Sequence, residues 1–316
     1  MFLDGVGVGG GDPAVDPFAA VPTPALDAFV GRPWAELRTV PDGARGEGGA
    51  YVRTLDARLS VPGLPQSATG QATLLSGRNA ARAMGRHYGP WPGPTLVRFL
   101  EREGDLFARA AARHGADALR WAGASPPGYF QALERPRRPM RLNVPAGCAV
   151  RAGATLPDLD AYRRGEAVSA DLDGDAFARM GAEPPGGVRP GPAGAEAAGR
   201  RLARLASDRA VAFFDVWTTD RAGHRADRDA ALRLVTLLDA FMGGLLEARP
   251  SDLTVVLTSD HGNLEDLRHR SHTEAAVPTV ACGPGAARFA TATSLLDVAA
   301  ACGYGPSEAE ADPAGA

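Results

Sequence analysis

A three-layer α/β/α sandwich, with a mostly parallel central sheet covered by helices on both faces, is the fold class this sequence predicts. Two observations carry the prediction. Short apolar or β-branched runs, the continuous "AVAFFDVW" (210–217) and "DLTVVLTSDHG" (252–262) among them, read as strands of a sheet buried on both faces, the second ending on charged residues. Between such runs lie segments with apolar residues at three- and four-residue steps, the period of amphipathic helices. Their alternation argues for parallel strands joined by helical crossovers.

Taken in order, "MFLD" reads as the end of a buried strand that presents Asp4 before the Gly-rich turn "GVGVGG". This strand is short: either the sheet tolerates a stub, or the chain's natural start lies upstream. "TPALDAFVG" (23–31) has a helix start, with Thr23 at the N-cap and Pro24 at the first helical position. The stretch 94–115 carries helical periodicity, "DALRWAGA" (117–124) reads as a strand, and "SPPGYF" (125–130) as a turn. Residues 131–192 are rich in Pro, Gly and Arg with weak periodicity, which predicts irregular surface with a few short elements. Helices are expected over 194–207, 227–249 and 294–303, and a further strand in "VPTVACGPG" (277–285). The expected organisation is one domain over 1–305, with 131–192 an irregular insertion or minimal cap, and a disordered tail at 306–316.

Composition narrows the function classes. The 316 residues are 45% hydrophobic, enough for a sizeable core. All 34 basic residues are Arg, scattered among acids for a net charge of −3, so no nucleic-acid footprint is expected. Cys148, Cys282 and Cys302 lie far apart without C-x-x-C spacing, which fits a reducing compartment rather than a disulfide framework. No charged-then-apolar leader opens the chain, and no apolar run approaches the ~18 residues of a membrane span. A soluble cytoplasmic protein without a membrane partner is the expectation.

In parallel α/β sheets, active sites gather beyond the carboxyl ends of the strands. That edge gathers Asp4, then Asp260 and His261 after one strand, and Asp220 and His224 after another, four residues apart and so on one helix face. His272 precedes a further apolar run. Three carboxylates and three imidazoles form a mixed N/O donor set that suits two divalent ions such as Zn²⁺ or Mn²⁺.

Six motifs in order complete the pattern: "LDGVGVG", "TPALDAF", "LPQSATGQ", "DRAGH", "TSDHGN" and "SHTEAAVP". In them the chain resembles the alkaline phosphatase superfamily, and within it the branch of cofactor-independent phosphoglycerate mutase and phosphopentomutase. The resemblance covers roughly residues 1–80 and 194–285 and implies an alkaline-phosphatase-like core. It matches Ser67 to the family nucleophile, with Gly70 three residues on and Gln71 where the family often has His. It implies that Asp220, His224 and His272 hold one ion, and that Asp4, Asp260, His261 and the oxygen of Ser67 hold the second. No His or Lys base is evident beside Ser67, so metal coordination is the expected activator of its hydroxyl. Arg78, Asn79, Thr69 and Gln71 are candidate substrate contacts, the last two also candidates to support the site from behind. The mutases of this family carry a large inserted domain for which 67–220 leaves little room. Without such a lid, water should take the phosphoryl group. The reading is therefore a phosphatase acting on a small phosphorylated metabolite through a phosphoserine at Ser67. A phosphomutase is the alternative, and a non-catalytic metal-binding homologue a further one.

Overall fold

The computed structural model describes residues 1–39, 45–46, 49–135, 137 and 141–307; most of the expected tail lies outside them. Seven strands appear among these residues: β1 Phe2–Leu3, β2 Tyr51–Leu55, β3 Leu119–Trp121, β4 Val211–Phe213, β5 Asp215–Val216, β6 Val255–Ser259 and β7 Val277–Cys282. The central sheet runs β2-β7-β6-β1-β5, and β3 pairs with β4 in a two-stranded sheet. Only Phe214 separates β4 from β5, and its carbonyl accepts from the Phe2 N–H at 2.8 Å, so the two sheets continue into each other. Strand β1 runs parallel to both β5 and β6, and β3 is parallel to β4. Strand β7 is antiparallel to both neighbours, β6 and β2. All strands but β7 therefore point one way: the sheet is mixed but mostly parallel.

Alternation along the strands divides the core into two layers. Phe2, Leu55, Val277 and Ala281 join a cluster with Leu74, Leu75, Phe99 and Phe107 on one face. Leu3, Val52, Leu257 and Val280 join another with Leu238, Phe241 and Leu245 on the opposite face. The first face is covered by the helices Ser67–Ser76, Pro94–Glu103, Leu106–His114 and Val144–Arg151, the second by Pro24–Val30, Pro192–Ala206 and Arg228–Ala248.

Several sequence expectations shift. The periodic stretch 94–115 is two helices, because Gly104 ends the first and the Asp105 carboxylate caps the second through the Phe107 and Ala108 N–H groups. "SPPGYF" opens a helix, Pro127–Leu133, rather than forming only a turn. Strand β2 is an addition. Its Arg53, buried at 7% exposure and donating from Nε to the Ala292 carbonyl, hides a strand behind a charged residue. Within 131–192 lie the short helices Val144–Arg151, Leu159–Arg163 and Asp175–Ala178. Among the described residues no helix is long and apolar enough to cross a membrane.

Candidate metal centre

The parallel strands deliver the site. Asp4 follows β1, Asp260 and His261 follow β6, and the helix Thr218–Arg225 after β5 carries Asp220 and His224 on one face. Ser67 is the first residue of the helix Ser67–Ser76, so the motif "LPQSATGQ" spans a helix N-terminus. Two glycines allow the convergence. At Gly70 a Cβ would lie 3.0 Å from the Asp260 carbonyl oxygen, so this helix can press against the Asp260 backbone. Gly5 has φ +68°, and a Cβ there would lie 2.6 Å from Asp220 Oδ1.

The donor atoms form two groups. Asp220, His224 and His272 offer atoms all within 4.8 Å of one another, as do Asp4, Asp220 and His261. Asp220 is thus common to both. Asp260 joins through His261, whose Nε2 is 3.6 Å from Asp260 Oδ2 and 3.4 Å from Asp4 Oδ1. Ser67 Oγ lies 3.0 Å from the same His261 Nε2. The hydroxyl thus has an imidazole beside it, where the sequence reading saw no His base. Both residues were expected on one ion, and two ligands of one ion must be neighbours.

The imidazole geometry tests whether a cation fits. His224 Nδ1 is 2.7 Å from the Arg270 carbonyl and His272 Nδ1 2.7 Å from the Pro65 carbonyl, so both Nδ1 atoms serve as donors. In neutral rings this leaves both Nε2 atoms as acceptors, and they face each other at 3.1 Å, beside the Asp220 carboxylate. Two lone pairs aimed together next to a carboxylate need a positive charge between them. Asp4 Oδ1, buried and without a hydrogen-bond partner among the described residues, makes the same demand in the second group. The residues fit divalent cations.

Titration behaviour follows from the crowding. Burial, then the Asp260 charge, pushes Asp4 up to about 7. Burial raises Asp260 to about 6 against the pull of His261. For His261, burial works downward, but Asp260 and Asp4 outweigh it and push the imidazole up to about 10. Burial and the neighbouring His261 lower His272 to about 4, so its ring is neutral near pH 7.

The remaining expected residues fall into two sets. Gln71 is in the site: its Nε2 donates to Asp4 Oδ2 at 3.2 Å and Asp260 Oδ2 at 3.1 Å. Thr69 is fully buried, and its hydroxyl accepts from the Tyr88 N–H at 3.1 Å, which ties the 88 segment to the helix. Arg78 and Asn79 are not brought to the site. They follow the helix at its far end, about 15 Å from Ser67 along a ten-residue helix. There Arg78 faces Glu103 at 3.7 Å, and Asn79 caps the helix Ala80–Ala83.

Sequence reasoning missed Glu265 and Asp215. Glu265 accepts from the Gly7 and Asn263 N–H groups, each at 2.8 Å, and from the Thr273 hydroxyl, so one buried carboxylate ties three site loops together. Its signal was the second acid of "DHGNLED". Asp215 lies inside β5, accepts from Asn143 Nδ2 at 2.6 Å, and is driven up to about 8 by burial and then by Asp4. An acid interrupting the apolar run "AVAFFDVW" was its signal.

Comparison with known proteins covers the segment that carries five of these residues. Residues 195–302 match the Metalloenzyme superfamily, a span that holds Asp220, His224, Asp260, His261 and His272. The 2,3-bisphosphoglycerate-independent phosphoglycerate mutase of Yersinia pestis (strain Pestoides F) is 33% identical over 88 residues, 25% of this chain and 17% of that protein. The enzyme of the same name from Wolinella succinogenes is 46% identical over 50 residues, 16% of this chain and 10% of the other. The matches thus span less than a fifth of those relatives' length. Among solved structures, the PH0037 protein from Pyrococcus horikoshii superposes with a TM-score of 0.49 at 12% identity, covering 90% of this chain and 84% of the other. The alkaline phosphatase of the Antarctic bacterium TAB5 does so with a TM-score of 0.47 at 13% identity, covering 95% and 96%. Residues 195–302 are thus similar to the Metalloenzyme superfamily, and in its motifs the chain resembles the phosphoglycerate mutase branch of the alkaline phosphatase superfamily.

Proposed function

We propose that this protein is a two-metal-dependent phosphoryl-transfer enzyme that hydrolyses a small phosphorylated metabolite through a phosphoserine at Ser67. The observation that carries the reading is Ser67 Oγ at 3.0 Å from His261, at the N-terminus of a helix and beside the carboxylate–imidazole cluster. Asp220, His224 and His272 are assigned one divalent ion, and Asp4, Asp260, His261 and the Ser67 oxygen the second, with Mn²⁺ or Zn²⁺ as candidates. Bound there, the ions would lower the pKa of the serine hydroxyl and offset charge on the transferring phosphoryl group. Such charge compensation is needed, because Asp4, Asp220 and Asp260 would otherwise repel a phosphate dianion.

The chain's own residues do the rest. Ser67 Oγ attacks phosphorus, its proton passing to solvent, and the ester oxygen leaves with the bonding pair and takes up a proton. The helix N-terminus behind Ser67 favours the phosphoryl oxygens through its dipole. Water then attacks the phosphoserine, releasing phosphate and restoring the hydroxyl. Gln71 holds Asp4 and Asp260 in place throughout.

A phosphomutase is the second reading, favoured by the activity named for the Yersinia and Wolinella relatives. Hydrolysis is preferred because no helix among the described residues of 131–192 exceeds the eight residues of Val144–Arg151, which supports a site without a large closing cap. A panel of phosphorylated metabolites, scored with Mn²⁺ or Zn²⁺ for both phosphate release and isomer formation, separates the two. Phosphate release is expected. Isomer formation without release would establish the mutase, and metal binding without either would leave a non-catalytic protein.

A further inference from the structure

Five large apolar side chains stand exposed among the described residues, and three of them, Leu64, Trp91 and Trp217, lie on segments whose backbone touches the metal centre or Ser67. Leu64 precedes Pro65, whose carbonyl holds His272. Trp91 lies two residues beyond Gly89, where a Cβ would lie 3.3 Å from the Ser67 backbone nitrogen. Trp217 sits between Val216, whose carbonyl accepts from the Asp4 N–H at 3.4 Å, and Thr219, whose hydroxyl donates to the Asp4 carbonyl at 2.5 Å.

Hydrogen bonds from one segment, 141–143, link the stretches that carry the two tryptophans. Arg141 donates to the Pro92 carbonyl at 3.4 Å, and two residues on, Asn143 donates to Asp215, which is two residues from Trp217. Trp91 and Trp217 are 45% and 44% exposed, whereas Trp34 and Trp121 are buried at 3% and 6%. The Arg221 guanidinium stands 5.1 Å from the Trp217 ring centroid and steadies that indole.

On the phosphoryl-transfer reading above, we infer that the group carrying the phosphate is a planar aromatic one, a nucleoside or an aryl alcohol, which stacks on this tryptophan rim while its phosphate meets the metal centre. Indole faces stack on flat rings whatever their substituents. A polyhydroxylated sugar would instead draw mainly on hydrogen-bonding side chains; here Arg221 is stacked on Trp217, Asn143 is bonded to Asp215 and Arg141 to the Pro92 carbonyl.

The test is equilibrium binding to the Mn²⁺-loaded Ser67→Ala protein, followed by tryptophan fluorescence and calorimetry. The probes are adenosine monophosphate, phenyl phosphate, a hexose phosphate, glycerol phosphate and inorganic phosphate. At least one aromatic ester should bind about 10-fold or more tighter than glycerol phosphate, in line with one stacked ring. Trp217→Ala and Trp91→Ala should each reduce that advantage and leave inorganic phosphate affinity unchanged, and Trp217→Phe should restore most of it. Adenosine monophosphate ahead of phenyl phosphate would make the group a nucleoside, and the reverse order an aryl alcohol. Equal affinity for all esters, a hexose phosphate binding tightest, or an aromatic advantage surviving both alanine substitutions would overturn the inference and leave the phosphoryl-transfer reading standing. Failure of inorganic phosphate and every ester to bind the metal-loaded protein would sink both.

Discussion

Gln71 donates from one amide nitrogen to two carboxylates, Asp4 and Asp260, and so bridges acids that would otherwise repel each other. Gln71→Glu would place a third carboxylate between them with no proton to share at high pH. The metal-free variant should lose on the order of 1–3 kcal/mol of stability at pH 8, read as a lower urea midpoint, and saturating Mn²⁺ should recover part of it. An unchanged midpoint would mean that Gln71 does not separate the two acids. The sequence marked Gln71 as a departure from the family's His and as a possible substrate contact. Only the fold shows that its amide is spent on Asp4 and Asp260. Arg78 is the converse case: nearness to Ser67 in sequence suggested a phosphate contact, but a helix carries it to the far end.

Strand ends and helix starts were the legible elements. Asp4, Asp260, His261 and Asp220 could be placed at one edge because buried strands announce themselves by apolar runs that stop at charges. What could not be read was where those runs pair: the antiparallel insertion of β7, and β2 with its buried Arg53, are settled by partners distant in sequence. The short helix Pro17–Ala20 next to the Gly-rich turn was also unread. Its cap Asp16 is buried at 1% exposure, accepts from the Phe18 N–H at 3.0 Å, and is raised to about 6, mainly by burial. The folded state thus holds a proton on Asp16 that the unfolded chain releases near pH 4. Stability should fall as pH rises from about 4 to about 6 and then level off, by a contribution on the order of 2 kcal/mol. Asp16→Asn should remove that component from the profile of urea midpoint against pH. A wild-type-like slope in the variant would assign the dependence to other groups.

At the scale of the molecule, the sheet's mostly parallel order collects carboxylates and imidazoles from the start, middle and end of the chain at one edge. This concentration of charge couples metal binding to protons. In the metal-free protein near neutrality, His261 is charged and Asp4 partly protonated, the first by its carboxylate neighbours and the second by burial. Ion binding must displace these protons, so affinity should rise as pH increases from about 6 to about 8. Calorimetry in buffers of different ionisation enthalpy should register net proton release, and metal should raise the thermal midpoint by mass action. Affinity independent of pH over that range would contradict the assigned ligand set.

The central claim is that Ser67 carries the phosphoryl group. The most direct measurement is peptide mapping by mass spectrometry of the Mn²⁺-loaded protein, acid-quenched during turnover of an aryl phosphomonoester. Phosphate is expected on Ser67 of the peptide containing "LPQSATGQ", and neither label nor turnover in Ser67→Ala. Turnover that persists in Ser67→Ala, or label on another residue, would contradict it.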